Sequence, residues 1–92
     1  MPIEVRENAE LSRYEIMVDG ELAGFTRFRP DGDSMLFPHT EIDERFAGQG
    51  LAKRLIGAAL DDVRARGRKV VPLCPFVKAF IDKNSAYQDL VA

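Results

Sequence analysis

The change of hydrophobic period at residue 51 constrains the fold of this chain more than any other feature of its sequence. From Leu51 onward the apolar residues recur at intervals of three and four, which is the spacing of one helix face. They form a continuous stripe: Ala52, Leu55, Ile56, Ala59, Leu60 and Val63. Gly67 follows the stripe, and glycine is the residue type that most often ends a helix. We therefore predict a long amphipathic helix between Leu51 and Gly67.

The residues before this helix have the alternating pattern of β-strands. Tyr14, Ile16 and Val18 fall on one side of a strand, and Asp19-Gly20 then favours a two-residue hairpin turn. The pattern predicts strands at residues 12–18, 21–29 and 35–42, with a weaker signal at 3–6. Pro38 interrupts the third strand, which predicts an edge position or a bulge there.

The residues after the helix predict a short apolar strand at 69–74 and a second helix at 76–83. Antiparallel strands followed by helix, strand and helix indicate an α+β fold. The strand after the long helix is expected to pair in parallel with the strand before it, through a right-handed crossover. A length of 92 residues predicts one domain, residues 1–92.

The junction between the third strand and the long helix has the sequence Arg45-Phe46-Ala47-Gly48-Gln49-Gly50. The two glycines allow the backbone to approach a ligand closely, and the helix N-terminus presents free N–H groups that favour an anion. Lys53 and Arg54 follow in the first helical turn, where a bound polyphosphate would offset their unfavourable interaction with the helix dipole.

The loop alone leaves other interpretations open. It is equally compatible with a tight strand-to-helix turn beside solvated cations. A Rossmann fingerprint is disfavoured because its third glycine position is Lys53, and a P-loop is excluded because no Gly-Lys-Ser/Thr follows.

In combination with its surroundings, the loop resembles a known family. Arg45-x-x-Gly48-x-Gly50 is similar to the signature of GNAT (GCN5-related) acetyltransferases, in which consecutive backbone amides bind the pyrophosphate of acetyl-CoA. The segments 39–42 (His-Thr-Glu-Ile) and 72–77 (Pro-Leu-Cys-Pro-Phe-Val) resemble those of a small GNAT-like subfamily of about this length. The resemblance covers about residues 12–91 and implies a GNAT-like fold that lacks the N-terminal helical region of larger members.

The resemblance also implies which residues bind acetyl-CoA. The backbone of Glu41 and Ile42 is expected to contact pantetheine, and Cys74 and Phe76 are expected near the thioester. The pyrophosphate is assigned to the loop and the helix start: Arg45, Phe46, Ala47, Gly48, Gln49, Gly50, Leu51 and Ala52.

Three residues are candidates for catalysis. His39 and Glu41 lie two positions apart, hence on one strand face, and either could take a proton from an acceptor amine. Cys74 precedes the second helix and could instead accept the acyl group first, in a two-step route. Direct transfer is favoured because it needs only positioning and proton removal.

Each candidate also has an interpretation without catalysis. Cys74 could be a buried structural residue, and His39 could be a half-exposed strand residue that makes one hydrogen bond. Tyr87 could act as the acid only if the tail folds back.

The composition excludes some classes of function. A net charge of −2 and a pI near 5.3 give no general attraction to nucleic acid or anionic membranes. The chain lacks a membrane-spanning apolar run and a signal-peptide pattern, and its single cysteine cannot form an internal disulfide or a Cys-rich metal site. We expect a cytoplasmic monomer or homodimer.

The function that follows is an acetyl-CoA-dependent N-acetyltransferase acting on an amine of a small molecule or protein. A non-catalytic CoA or acyl-CoA-binding module, and an interaction domain without a ligand, are the alternatives.

Overall fold

A computed structural model describes residues 2–92, which form seven strands in two sheets. The first sheet has the order β1-β2-β3-β6 and is antiparallel throughout. The second has the order β4-β5-β7, in which β5 pairs antiparallel with β4 and parallel with β7. The strands are β1 (Ile3–Asn8), β2 (Arg13–Val18), β3 (Glu21–Arg27), β4 (Arg29–Asp31), β5 (Ser34–Leu36), β6 (Thr40–Ile42) and β7 (Lys69–Val71).

Two α-helices and two short 3₁₀ helices complete the fold. Helix α1 spans Leu51–Ala65 and α2 spans Pro75–Lys83, while the 3₁₀ helices span Glu44–Phe46 and Ser85–Leu90. The predicted stripe of α1 packs against strands of both sheets and forms the centre of the core. Its buried residues are Leu51, Leu55, Ile56, Ala59, Leu60 and Val63. Ala52, which we assigned to the stripe, is only half-buried.

The predicted α+β fold is confirmed, with strand boundaries that differ in detail. The Asp19-Gly20 hairpin forms with positive φ at both residues, 50° and 80°. The strand expected at 21–29 is divided between β3 and β4, and the strand expected at 69–74 ends at Val71. The weak pattern at 3–6 belongs to a full edge strand, β1. The expected parallel pairing across α1 is seen between β5 and β7.

The predicted third strand is broken at Pro38, and its two halves belong to different sheets. Phe37 N–H donates to the carbonyl of Val71, so the chain is still paired with the β7 side there. Two residues later the carbonyl of His39 accepts from Arg27 N–H, which begins the pairing with β3. Pro38 has no N–H to contribute to either ladder. The chain therefore passes from the second sheet to the first at this point.

Hydrogen bonds to two buried side chains of β2 tie the sheet together and hold it against α1. The Tyr14 hydroxyl donates to Asp62 on α1 at 2.6 Å, and burial together with this bond raises the pKa of Tyr14 above its usual value. Glu15 points to the face away from α1 and accepts from Arg13 at 2.8 Å and Asn8 at 3.1 Å. Across residues 2–92, none of the helices has the length and apolarity that a bilayer crossing requires.

Candidate functional site

A groove of about 920 Å³ lies between the end of β6, the N-terminus of α1 and one side of α2. We call it the main groove. Its walls are mostly apolar, and two lysines stand among them. The lining residues are Ile42, Phe46, Ala47, Gly48, Gly50, Leu51, Ala52, Lys53, Ile56, Phe76, Ala79, Phe80, Lys83 and Asn84. An apolar groove that ends on a few polar and charged groups has the general form of a cofactor site.

The glycine loop shapes the end of the main groove at α1. Gly48 and Gly50 have φ values of 81° and 72°, in the left-handed region that disfavours residues with a side chain. Gly50 is the N-cap of α1, so no side chain caps the helix and its first turn carries no acidic residue. The free N–H groups of that turn open toward the groove, where they can receive an anion.

Arg45 is in contact with two neighbouring side chains. Its guanidinium lies against Asp43, at 3.3 Å between Nε and Oδ1, and stacks over the Phe46 ring at 5.3 Å. Hydrogen bonds from the backbone N–H and the side chain of Arg45 lower the pKa of Asp43. Neither Arg45 nor Gln49 lines the main groove in this conformation.

The backbone of β6 offers hydrogen-bonding groups to the groove side. In an antiparallel ladder, alternate residues turn their N–H and C=O groups to the partner strand. His39 accepts a hydrogen bond from Arg27 N–H, and Asp43 N–H donates one to Ala23. Glu41 lies between these two bonded residues at the same two-residue spacing, so its backbone groups also face β3. The backbone groups of Thr40 and Ile42 point to the other edge. Within residues 2–92 that edge has no strand partner.

Cys74 lies where the two sheets separate. It is 4% exposed, its N–H donates to the carbonyl of Phe37 at 2.7 Å, and it is the residue that precedes α2. The thiol donates to the hydroxyl of Thr40 at 3.5 Å, and that hydroxyl lies 2.9 Å from the hydroxyl of Thr26. Cys74 is thus part of a buried polar chain with two threonines.

His39 and Glu41 meet on the face of β6 opposite to Thr40. His39 Nε2 lies 3.1 Å from Glu41 Oε1, and the His39 ring is 6.2 Å from that of Phe25. Their side chains are 52% and 59% exposed. Because side chains alternate along a strand, this pair and the Cys74 thiol are on opposite sides of β6. The three catalytic candidates therefore do not form one cluster.

The tail folds back, but not toward Cys74. The Tyr87 hydroxyl donates to Asp61 on α1 at 2.9 Å, and its ring lies 5.3 Å from that of Phe80. Burial and this hydrogen bond raise the pKa of Tyr87.

Several site residues were not identified from the sequence. Thr26 and Thr40 are polar residues on the buried face of their strands, which is the signal that could have indicated them. Phe80 is half-buried, since it packs against the core and also forms a wall of the main groove. Lys83 and Asn84 carry no local pattern, since only the packing of α2 beside α1 brings them to the site.

These features define the class of the protein: a small α+β protein with a groove that suits an anionic ligand, next to a split in its β-structure. Comparison with known proteins gives a family. The model of the GCN5-related N-acetyltransferase family matches residues 13–90. No curated protein sequence matches the chain significantly.

Solved structures agree with this match. A GCN5-like protein from Staphylococcus aureus superposes with a TM-score of 0.74 at 23% identity, over 97% of this chain and 87% of its own. An alanine N-acetyltransferase of a ribosomal protein from Escherichia coli gives 0.67 at 17% identity, over 77% of this chain and 49% of its own. A ribosomal-protein-alanine N-acetyltransferase from Brucella melitensis biovar Abortus gives 0.59 at 26% identity, over 87% and 60%.

The chain belongs to the GCN5-related N-acetyltransferase family. The resemblance found in its loop and in its Cys-Pro-Phe segment is thereby confirmed at the level of the family. The match to this chain covers 49% of the Escherichia coli acetyltransferase and 60% of the Brucella melitensis one, so a large part of those enzymes has no counterpart in this chain.

Proposed function

We propose that this protein is an acetyl-CoA-dependent N-acetyltransferase that acylates a primary amine of a small molecule or a protein. The observation that carries the proposal is the main groove, which ends on the uncapped N-terminus of α1 and passes the free edge of β6. A ligand with an anionic end and a narrow amide-containing arm matches both features. CoA is such a ligand.

The residues present fit CoA. The backbone amides from Gly48 to Ala52 would hold the pyrophosphate, and the free edge of β6 would hydrogen-bond the amides of the pantetheine arm. Because the Glu41 backbone faces β3, we assign this contact to the backbone groups of Thr40 and Ile42 instead. Phe46 and Phe76 would flank the arm. Acetyl-CoA, when bound, supplies the activated acetyl group as a thioester.

His39 and Glu41 support direct transfer. With the proton on Nε2, His39 donates to Glu41, and its Nδ1 keeps a lone pair that can take a proton from an acceptor amine. The Glu41 carboxylate then stabilises the imidazolium that forms, in the way a carboxylate orients the base in other acyl-transfer sites. Both side chains are half-exposed, so an amine can reach them from solvent.

The two-step route through Cys74 has less support. The thiol is buried, and it faces Thr40 on the side of β6 away from His39 and Glu41. An attack by Cys74 would therefore need another base. We expect Cys74→Ala to keep acetyl transfer near the wild-type rate, with no acyl-enzyme detected by mass spectrometry. An acylated Cys74 that turns over would favour the two-step route instead.

A non-catalytic CoA-binding module is the second candidate. It is favoured by one observation: the side chains of His39 and Glu41 are both more than half exposed to solvent, which gives an acceptor little enclosure. Isothermal titration with CoA, followed by a CoA-release assay against a panel of primary amines, tests both candidates.

The proposed enzyme requires CoA binding and amine-dependent release. The release rate should fall at least tenfold in His39→Gln while CoA affinity is retained, since general-base catalysis contributes about 10²–10⁴ in rate. Binding without release by any amine would support the module. The absence of binding would refute both.

A further inference from the structure

On the face of the first sheet that points away from α1, three side chains stand in one row across β2, β3 and β6. Arg13 is paired with Arg27, and Arg27 N–H donates to the carbonyl of His39 at 2.8 Å. Residues directly opposite each other on neighbouring strands share a face. Thr26, next to Arg27 in the chain, is buried on the other face. We call Arg13, Arg27 and His39 the outer row.

Two members of the outer row are like charges in direct opposition. Phe28 N–H donates to the carbonyl of Ser12, so Arg13 and Arg27 form a pair of the non-hydrogen-bonded type, in which the Cα atoms are only about 4.5 Å apart. Like charges at this position destabilise a sheet. Arg13 is offset by Glu15 at 2.8 Å, whereas within residues 2–92 Arg27 takes part in no ion pair. An anion bound to Arg27 would remove this unfavourable interaction.

The ring of Phe25 holds both guanidinium groups in position. The Arg13 and Arg27 guanidinium carbons lie 4.5 Å and 5.5 Å from the centre of this ring, and the His39 ring lies 6.2 Å from it. A cation is attracted to an aromatic face at these distances. A side chain that is already positioned loses less conformational freedom when it binds a ligand. Because Phe25 is next to both Arg27 and His39, an anion on Arg27 lies beside the candidate base.

Acidic residues also occur near the outer row, and they would oppose an anionic ligand. Glu41, Asp43 and Glu44 line a cavity of about 410 Å³ between β3 and the end of β6. Two of them already have partners, since Glu41 lies 3.1 Å from His39 and Asp43 lies 3.3 Å from Arg45. Glu44 lies beyond β6, in the 3₁₀ helix. The unpaired charge next to His39 in its own row is therefore positive.

From these features we infer that the outer row selects an anionic acceptor: a primary amine that carries a carboxylate or a phosphate group. Arg27 binds the anionic group while the amine reaches His39. A guanidinium suits both anions, because its planar N–H groups match two of their oxygen atoms. The inference rests on the proposed function, since it takes His39 as the base. Arg27 is then a residue that determines which amine is acetylated.

Acetyl transfer to matched pairs of amines tests this selectivity. 4-Aminobutyrate is compared with 4-aminobutanamide, which lacks only the charge of the carboxylate, and O-phosphoethanolamine is compared with ethanolamine. In 4-aminobutyrate, three methylene groups separate the amine from the carboxylate, a span that suits paired strand residues with Cα atoms about 5.5 Å apart. The kcat/KM of wild type should be about tenfold higher for the anionic member of at least one pair, the size expected for a hydrogen bond between charged groups. The pair that shows the preference distinguishes carboxylate from phosphate.

Substitutions of Arg27 test whether this side chain is the source of the preference. Arg27→Gln should remove the preference by raising the KM for the anionic amine about tenfold, with the KM for the neutral amine nearly unchanged. The neutral amine thereby also reports whether the variant is folded. Arg27→Lys keeps the charge and should restore part of the preference. Lys78→Gln removes an exposed lysine of α2 and is the matched control, which should keep the preference in full.

The outcomes separate the inference from the function on which it rests. Equal kcat/KM within both pairs would overturn the inference and leave the proposed function standing. The same holds if Arg27→Gln keeps the preference, or if 1,4-diaminobutane has a higher kcat/KM than 4-aminobutyrate, which would favour a cationic acceptor at the acidic cavity.

If none of the amines is acetylated, the proposed function fails, and a binding measurement still decides the inference. 4-Aminobutyrate or O-phosphoethanolamine should shift the NMR signals of the Phe25 and His39 rings in wild type but not in Arg27→Gln. Rings that stay unshifted in wild type with both compounds would overturn the inference.

Discussion

At the scale of single residues, Gly24 controls how closely β6 can approach β3. A Cβ at this position would lie 2.5 Å from the carbonyl oxygen of Glu41 and 2.5 Å from Cδ1 of Ile42. The carbonyl oxygen belongs to the backbone, so it can be avoided only if β6 itself moves, whereas the Ile42 side chain can change its conformation. The absence of a side chain at Gly24 therefore fixes the position of one wall of the groove.

Gly24→Ala should displace β6 and distort the main groove. We expect a loss of stability of about 1–3 kcal/mol, as for other overpacked sites, together with weaker CoA binding. Urea unfolding and calorimetric titration measure the two effects. Unchanged stability and affinity in Gly24→Ala would show that β6 adjusts without cost, against our interpretation.

The residue scale is also where prediction from sequence had its limits. The two-residue spacing of His39 and Glu41 predicted that they share a face, and their side chains meet at 3.1 Å. The orientation of Arg45 could not be predicted, because Asp43 competes for its guanidinium through a short-range contact that no periodicity reveals. The role expected for Arg45 in binding pyrophosphate stays a prediction.

At the scale of elements, α1 contains a glycine, Gly57, whose backbone conformation and surroundings would also accept a side chain. Gly57 has no positive φ, and a Cβ there would meet Phe80 at 3.5 Å and the Tyr87 hydroxyl at 3.9 Å, which are ordinary contact distances. Glycine inside a helix costs about 0.5–1 kcal/mol relative to alanine. Gly57→Ala should therefore stabilise the protein by up to about 1 kcal/mol in urea unfolding, and it provides the matched control for Gly24→Ala. A destabilised variant would mean that Phe80 and Tyr87 cannot accommodate the methyl group.

Helix α1 and the β-strands differ in how far local sequence determines them. The stripe of α1 was predictable because a helix buries one face whatever its partner is. The division of residues 35–42 between two sheets could not be predicted, because it depends on which neighbouring strand each residue bonds to. Pro38 signalled an irregularity, but only the bonds from Phe37 to Val71 and from Arg27 to His39 identify the two partners.

At the scale of the whole molecule, a buried carboxylate links stability to pH. Burial alone would raise the pKa of Glu15, but hydrogen bonds from Arg13 and Asn8 outweigh it, and the pKa is lowered. A lowered pKa means that the ionised form stabilises the fold above the pKa of the unfolded chain, near 4.5. This contribution is lost as the pH falls below that value.

Glu15→Gln tests the link. The variant should be less stable than wild type by about 1–2 kcal/mol at pH 7, the size of a charge-assisted hydrogen bond to a buried group. The difference should shrink as the pH is lowered through 4, where wild type loses the same contribution. Urea unfolding at several pH values measures it. A difference that stays constant with pH would assign the loss to packing rather than charge.

The parallel pairing of β5 with β7 has a consequence for the order of folding. Strands β1, β2 and β3 follow one another in the chain and pair as neighbours, so their contacts are local. By contrast, Ser34 pairs with Lys69 on the far side of α1, and Val70 pairs with Val91 near the end of the described chain.

Contacts of high sequence separation form slowly, because the entropy of closing a long loop must first be overcome. The contacts within the N-terminal meander can therefore form first, whereas the main groove has to wait for α1, β7 and α2. A ligand that fills the groove would then act on the last step of folding, and it would slow unfolding more than it speeds the collapse of the chain.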